Sequence, residues 1–166
     1  MQNNSGISKE ILSKLEHDCR ISPTNLALML DKEEGEIKEL VEELEKERVI
    51  LGYTAVIDWD KTDKEYVTAL IELKVAPQRD GGFDKIAGQI YNYDEVQTAY
   101  LMSGGFDIAV ILEGRTMREV AYFVAEKIAV MDGIVATSTH FVLRKYKEKG
   151  VIYSLDERAD TRINLC

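Results

Sequence analysis

The segment Leu101-Met102-Ser103-Gly104-Gly105-Phe106-Asp107 constrains the fold more than any other part of the chain. It separates two apolar stretches, Val96 to Met102 and Ile108 to Leu112, whose spacing predicts strands. A Gly-Gly pair between strands supplies the positive φ of a tight reversal, so the two strands form a hairpin. Around it a unit repeats. Val67 to Val75 alternates Val67, Ala69, Ile71, Leu73 and Val75 on one face, the pattern of a half-buried strand. After Pro77 and Gly81-Gly82, Phe83, Ile86, Ala87 and Ile90 line one side of a helix. After the hairpin, Thr116-Met117-Arg118-Glu119 reads as a capping box and opens a helix carrying Val120, Phe123, Val124 and Ile128. Gly133 ends that segment, and Ile134 to Lys145 is a final strand. The order β-α-β-β-α-β predicts a four-stranded antiparallel sheet with two helices on one face. The bare face calls for a partner, and a second copy of the chain is the simplest one.

The first third has a different period. Ile7, Ile11, Leu12 and Leu15 mark an amphipathic helix from Ile7 to about Asp18, with Ser8 as its cap. Ser22-Pro23 opens a second, short helix with Leu26, Ala27 and Leu30 on its apolar face. A third runs from about Glu33 to Glu47 on Ile37, Leu40, Val41 and Leu44. Three short helices with tight connections fit a helix-turn-helix, although any small helical bundle gives the same periodicity. Val49 to Asp58 reads as strand, Gly52 break, strand, and Trp59 to Glu65 as a charged connector. The expected organisation is residues 1–58, a linker 59–66, a sheet domain 67–147 and a tail 148–166. In that tail Val151-Ile152-Tyr153 is a candidate edge strand and Asp156 to Asp160 a solvated connector.

The formal net charge of the 166 residues is −9, and it is unevenly spread. Residues 1–66 carry nine Lys/Arg against sixteen Asp/Glu, a balance of −7; residues 67–166 carry twelve against fourteen, a balance of −2. From Glu33 to Arg48 eight Glu face Lys38, Lys46 and Arg48. Glu33, Glu34 and Glu36 suit the positive end of the helix dipole. Glu39, Glu42 and Glu43 have no such role and would repel a phosphate.

No run approaches the length of a membrane span, and Met1 to Gly6 does not read as a signal peptide, so a cytoplasmic location is expected. Cys19 and Cys166 form no metal or redox motif and are expected as free thiols; His17 and His140 lack partners at metal-ligand spacing. A phosphate-binding glycine loop, a nucleophile elbow and a metalloprotease helix are all missing, so no catalytic residue, metal or cofactor is assigned.

These stretches together resemble the Lrp/AsnC family of transcription regulators. The resemblance spans residues 7–147. It rests on Cys19-Arg20-Ile21-Ser22 with Leu26-Ala27; on Leu44 to Ala55; and on Ser103 to Asp107 taken with Gly133-Ile134-Val135 and Thr137 to Leu143. It implies an α+β protein: an N-terminal winged helix-turn-helix domain and a C-terminal ferredoxin-like βαββαβ (RAM) domain that senses an amino acid and oligomerises. Dimers form through the sensor sheets and often assemble further into octameric rings or discs. The resemblance implies that the effector sits at the hairpin, between subunits, and the chemistry there agrees. Glycine-turn amides at Ser103, Gly104 and Gly105 suit a carboxylate, and Asp107 suits an α-ammonium. Thr137 and Thr139 offer hydroxyls, while Leu101 and Met102 offer a floor for a side chain. The third helix departs from the family, whose exposed face is rich in Arg. DNA contact is therefore expected to be weak and to rest on Lys32, Lys38 and Lys46. The alternative is an effector-binding oligomer that has lost conventional DNA binding and acts through protein partners.

Overall fold

The computed structural model describes residues 4–76 and 82–153. The chain divides into two compact units, Met1–Val56 and Ile57–Cys166.

The first unit is three helices: α1 (Asn4–His17), α2 (Pro23–Leu30) and α3 (Glu34–Lys46). Ile11, Leu26, Ala27, Ile37, Leu40 and Leu44 form its buried core, the face expected from the 3.6-residue period. The expected Ser8 cap is wrong, because α1 already begins at Asn4 and Ser8 lies inside it. The start of α2 is as expected: the Asn25 amide donates to the Ser22 hydroxyl at 3.2 Å, and Pro23 occupies the first turn. The turn from α2 into α3 depends on Asp31, which adopts the left-handed conformation at φ 53°. Short Asp side chains tolerate that region better than most.

The strand–glycine–strand expected at 49–58 is not formed. The Val49 and Ile50 amides both donate to the Leu44 carbonyl, closing the end of α3. Leu51 to Asp58 then carries no ladder. A strand exists only against a neighbour, and among the described residues this segment has none.

The second unit contains β1 (Val67–Val75), α4 (Gly82–Ile90), β2 (Val96–Leu101), β3 (Ile108–Gly114), α5 (Met117–Phe123) and β4 (Ile134–Phe141). A π-helical turn, Val124–Ile128, continues α5. The sheet order is β2-β3-β1-β4 and every pairing is antiparallel, as the βαββαβ order predicts. Ala69, Ile71, Leu73, Ile108, Val110 and Leu112 meet Ile86, Ile90, Val120, Val124 and Ile128 in one core under the helices. Half of the expected capping box forms: the Glu119 amide donates to the Thr116 hydroxyl at 3.1 Å, but the Glu119 carboxylate reaches one residue past the cap and accepts from the Arg115 amide at 2.8 Å instead.

Two further expectations are corrected. β4 stops at Phe141 rather than Lys145: the paired register ends at Ala69 opposite Phe141, and beyond it one bond, from the Val142 amide to the Thr68 carbonyl at 2.9 Å, carries the contact on before the chain leaves β1. Val151–Ile152 adds no strand to the sheet. It pairs with Lys147–Glu148 in a separate two-stranded hairpin, β5 and β6. Cys166 and the Asp156–Asp160 connector lie outside the described residues.

Candidate functional site

The β2–β3 hairpin is wider than a two-residue turn. The Met102 amide donates to the Asp107 carbonyl at 2.8 Å, closing a loop over Ser103 to Phe106. Gly104 has φ 137°, a conformation that L side chains rarely adopt, and a Cβ there would meet nothing within 4 Å. Glycine is therefore required by the backbone path, and the space beside it is open. Leu101, Met102, Ser103, Gly104 and Gly105 are all exposed.

Asp107 is half-buried and already partly engaged. One carboxylate oxygen, Oδ2, accepts from the Val75 amide at 2.7 Å, and the Asp107 amide donates to the Leu73 carbonyl at 2.9 Å. These bonds tie the hairpin to the end of β1. Oδ1 has no partner among the described residues.

Thr137 and Thr139 lie elsewhere on the same sheet. Thr137 stands opposite Leu73, and Thr139 opposite Ile71. Directly paired residues share a face, so both threonines project to the helix-covered side at the β4 edge. Leu101, Ile108, Leu73 and Thr137 form one row across the sheet. At about 4.8 Å per strand, Leu101 and Thr137 are about 14 Å apart. A free amino acid is much shorter than that, so one chain cannot place the hairpin and the threonines around the same molecule.

The bare face of the sheet carries Thr98 and Tyr100 from β2, Ala109, Ile111 and Glu113 from β3, Leu70 and Glu72 from β1, and Ser138 and His140 from β4. His140 Nε2 lies 3.6 Å from Glu72 Oε1 across β4 and β1. Among the described residues no group of His, Cys, Asp and Glu is arranged to hold a metal.

In the first unit, α3 exposes Lys38, Glu39, Glu42, Glu43 and Lys46. Two of the three expected DNA-contacting cations are already paired. Lys38 bonds Glu34, which also accepts from the Thr24 hydroxyl at 2.9 Å. The bond from Lys38, with that from Thr24, holds the Glu34 carboxyl below its ordinary range. Lys32 Nζ lies 3.5 Å from Glu36. Lys46 alone of the three has no such partner among the described residues.

One polar cluster was not foreseen from sequence. Tyr66, at the end of the connector, donates to Glu113 on β3, and Lys145 Nζ donates to the Tyr66 hydroxyl at 3.1 Å and to Glu148 at 3.3 Å. The Tyr153 hydroxyl donates to the other Glu148 oxygen at 2.7 Å. Burial, then the Glu113 contact, pushes the Tyr66 phenol up. Burial works against the Lys145 ammonium, but Tyr66 and Glu148 outweigh it and hold it above its ordinary value. The cluster joins residues up to 87 positions apart, from Tyr66 to Tyr153, and no local pattern announces such a pairing.

Comparison with known proteins agrees with this architecture. The Lrp/AsnC ligand binding domain family matches residues 68–152. The HTH-type transcriptional regulator YugG of Bacillus subtilis is 44% identical over 145 residues, 87% of each chain. The leucine-responsive regulatory protein of Haemophilus influenzae is 25% identical over 142 residues, 86% of this chain and 85% of that one. Among solved structures, a transcriptional regulator from Neisseria meningitidis in complex with L-Met superposes with a TM-score of 0.69 at 18% identity. That match covers 90% of this chain and 94% of the other.

Proposed function

The chain belongs to the Lrp/AsnC family of transcriptional regulators, and on that premise we propose that it is a non-catalytic regulator that binds an amino acid between subunits and contacts double-stranded DNA weakly. The observation that carries the reading is the separation of Leu101–Asp107 from Thr137 and Thr139. They lie at different strands of one sheet, about 14 Å apart by strand spacing. A second copy is needed to bring one chain's threonines to another chain's hairpin.

In this reading the open space at Gly104 receives the carboxylate. Asp107 Oδ1, still without a partner, takes the ammonium while Oδ2 keeps its bond to Val75. The bare sheet face, with Leu70, Ala109 and Ile111, is the surface on which dimers form. Dimers then associate further, an octamer being the expected closed form. The relatives' names support the effector class: one is leucine-responsive, and one was solved with L-Met.

A second reading concerns the DNA-binding half. Lys32 and Lys38 are held by Glu36 and Glu34, so the exposed face of α3 offers phosphate little free positive charge. That favours a regulator with weak heads that gains affinity through linkage on one oligomer, or one that works through protein partners.

The test is a calorimetric scan of the free amino acids against the intact oligomer, repeated on Asp107→Asn and Thr139→Val. The expected result is one amino acid whose affinity falls in both variants. An amino acid bound equally by all three proteins places the effector elsewhere.

A further inference from the structure

A cavity lies away from the hairpin. It opens where the connector Lys64–Tyr66 passes the far end of β3 and the start of α5, and its volume is about 210 Å³. That is far above the roughly 10–15 Å³ that admits one water, and below the roughly 300 Å³ at which pockets for drug-sized ligands begin. It suits a molecule the size of a metabolite. β3 runs from the hairpin to this cavity, so the two places occupy opposite ends of one strand.

The floor is apolar: Leu112 and Val120 are buried, and Phe123 is partly buried beside them. Gly114 makes this closeness possible, since a Cβ there would come within 2.8 Å of a Val120 methyl. The rim is charged. Arg115, Glu65 and Glu95 all line it. Among the described residues, none of these three side chains has a hydrogen bond or ion pair. The other rim groups are engaged. Glu119 accepts from the Arg115 amide, Glu113 accepts from Tyr66, and Lys64 Nζ sits 3.9 Å from the centre of the Trp59 ring. An unpaired guanidinium and two unpaired carboxylates therefore surround an apolar floor.

We propose that this cavity is a second small-molecule site, distinct from the hairpin, and that it takes an apolar α-amino acid. Arg115 receives the carboxylate in the two-pronged geometry that guanidinium favours. Glu65 and Glu95 receive the ammonium. A branched or aromatic side chain covers Leu112, Val120 and Phe123. A ligand here touches the connector directly, through Glu65 and Tyr66, so occupancy is read out by the segment that leads back along the chain to the three helices.

Trp59 is the single tryptophan of the chain, and its ring centre lies 6.4 Å from that of Tyr66. Its fluorescence therefore reports on this connector. The experiment titrates the full-length protein with L-leucine and L-phenylalanine, and with their 2-oxo acids, which lack the ammonium. The expected result is a saturable change in Trp59 emission with at least one amino acid and a weaker one with its 2-oxo acid. Arg115→Ala keeps the backbone amide that Glu119 needs and removes only an exposed side chain, so it should fold normally. It should lower the amino-acid affinity tenfold or more, the loss of a charged hydrogen bond. Asp107→Asn, at the other end of β3, should leave the Trp59 response in place. A flat Trp59 signal with every probe overturns the proposal. So does a response that survives Arg115→Ala or disappears in Asp107→Asn.

Discussion

The Asp107 carboxylate and the Val75 amide are joined by a 2.7 Å hydrogen bond across β3 and β1. The bond fixes the hairpin on the sheet before any ligand arrives. Asp107→Ala leaves a half-buried amide without its acceptor, which costs about 1–3 kcal/mol. Asp107→Asn keeps an acceptor oxygen and loses the charge. Thermal unfolding without ligand should therefore fall clearly in the alanine variant and by less in the asparagine variant. Equal melting of alanine and parent proteins would mean that the bond contributes nothing. Effector binding, by contrast, should weaken in both.

Ile111 sits half-buried on the bare face, between Leu70 on β1 and Thr98 on β2. If that face were solvent in the working protein, Ile111→Glu would be nearly neutral. If it is an interface, a buried unpaired carboxylate is intolerable there. The expected outcome is a folded monomer in sedimentation, where the parent sediments as a dimer or larger. A parent protein that is already monomeric at micromolar concentration would defeat the between-subunits site as well.

Tyr153 and Tyr53 give the protein an alkaline signature. The hydrogen bond to Glu148, then burial, raises Tyr153 from 10.0 to about 12. Burial, then the bond to Glu45 at 2.8 Å, raises Tyr53 from 10.0 to about 12. A folded value above the unfolded one means the stabilisation is whole below pH about 10. It shrinks between 10 and about 12 and is lost above that. Glu148 works in the opposite direction. Held low mainly by the Tyr153 hydroxyl, it stabilises above the ordinary carboxylate range and is lost on acidification. In a tyrosinate absorbance titration, Tyr153→Phe should remove one late-ionising group. Glu148→Gln should bring that ionisation to lower pH. If Glu148→Gln leaves the late phase untouched, the pairing does not exist in solution.

The core and the topology were readable because burial has a period. Ala69, Ile71, Leu73 and Val75 alternate, Ile37, Leu40 and Leu44 follow the helix, and each set is the face found buried. The Thr116 cap on the Glu119 amide was readable because the two residues are three positions apart. The strand at 49–58 misled because its composition is that of a strand while no described residue pairs with it. The Thr137–hairpin relationship was half readable. Alternation put both threonines on one face, but only the sheet order β2-β3-β1-β4 reveals how far that face lies from Gly104. The double duty of Asp107 and the Tyr66–Lys145–Tyr153 cluster are long-range matters that no spacing encodes.

The acidity of α3 yields the last expectation. Glu34 engages Lys38, and Glu36 lies within 3.5 Å of Lys32, so each glutamate both repels phosphate and occupies a cation that would attract it. Surface pairs of this kind are worth little to stability, so removing them leaves the helix folded. Glu34→Gln should free Lys38 and strengthen DNA binding modestly. Glu39→Arg with Glu42→Arg should strengthen it markedly and steepen the salt dependence by about one unit of slope for each new phosphate contact. Both are read by binding to one duplex across a salt series, with the oligomer verified intact. The order parent, Glu34→Gln, double arginine, with rising affinity and rising slope, is what a helix seated at the groove requires. Identical slopes for all three proteins would mean that α3 does not approach DNA, and would assign the acidic face to a protein partner instead.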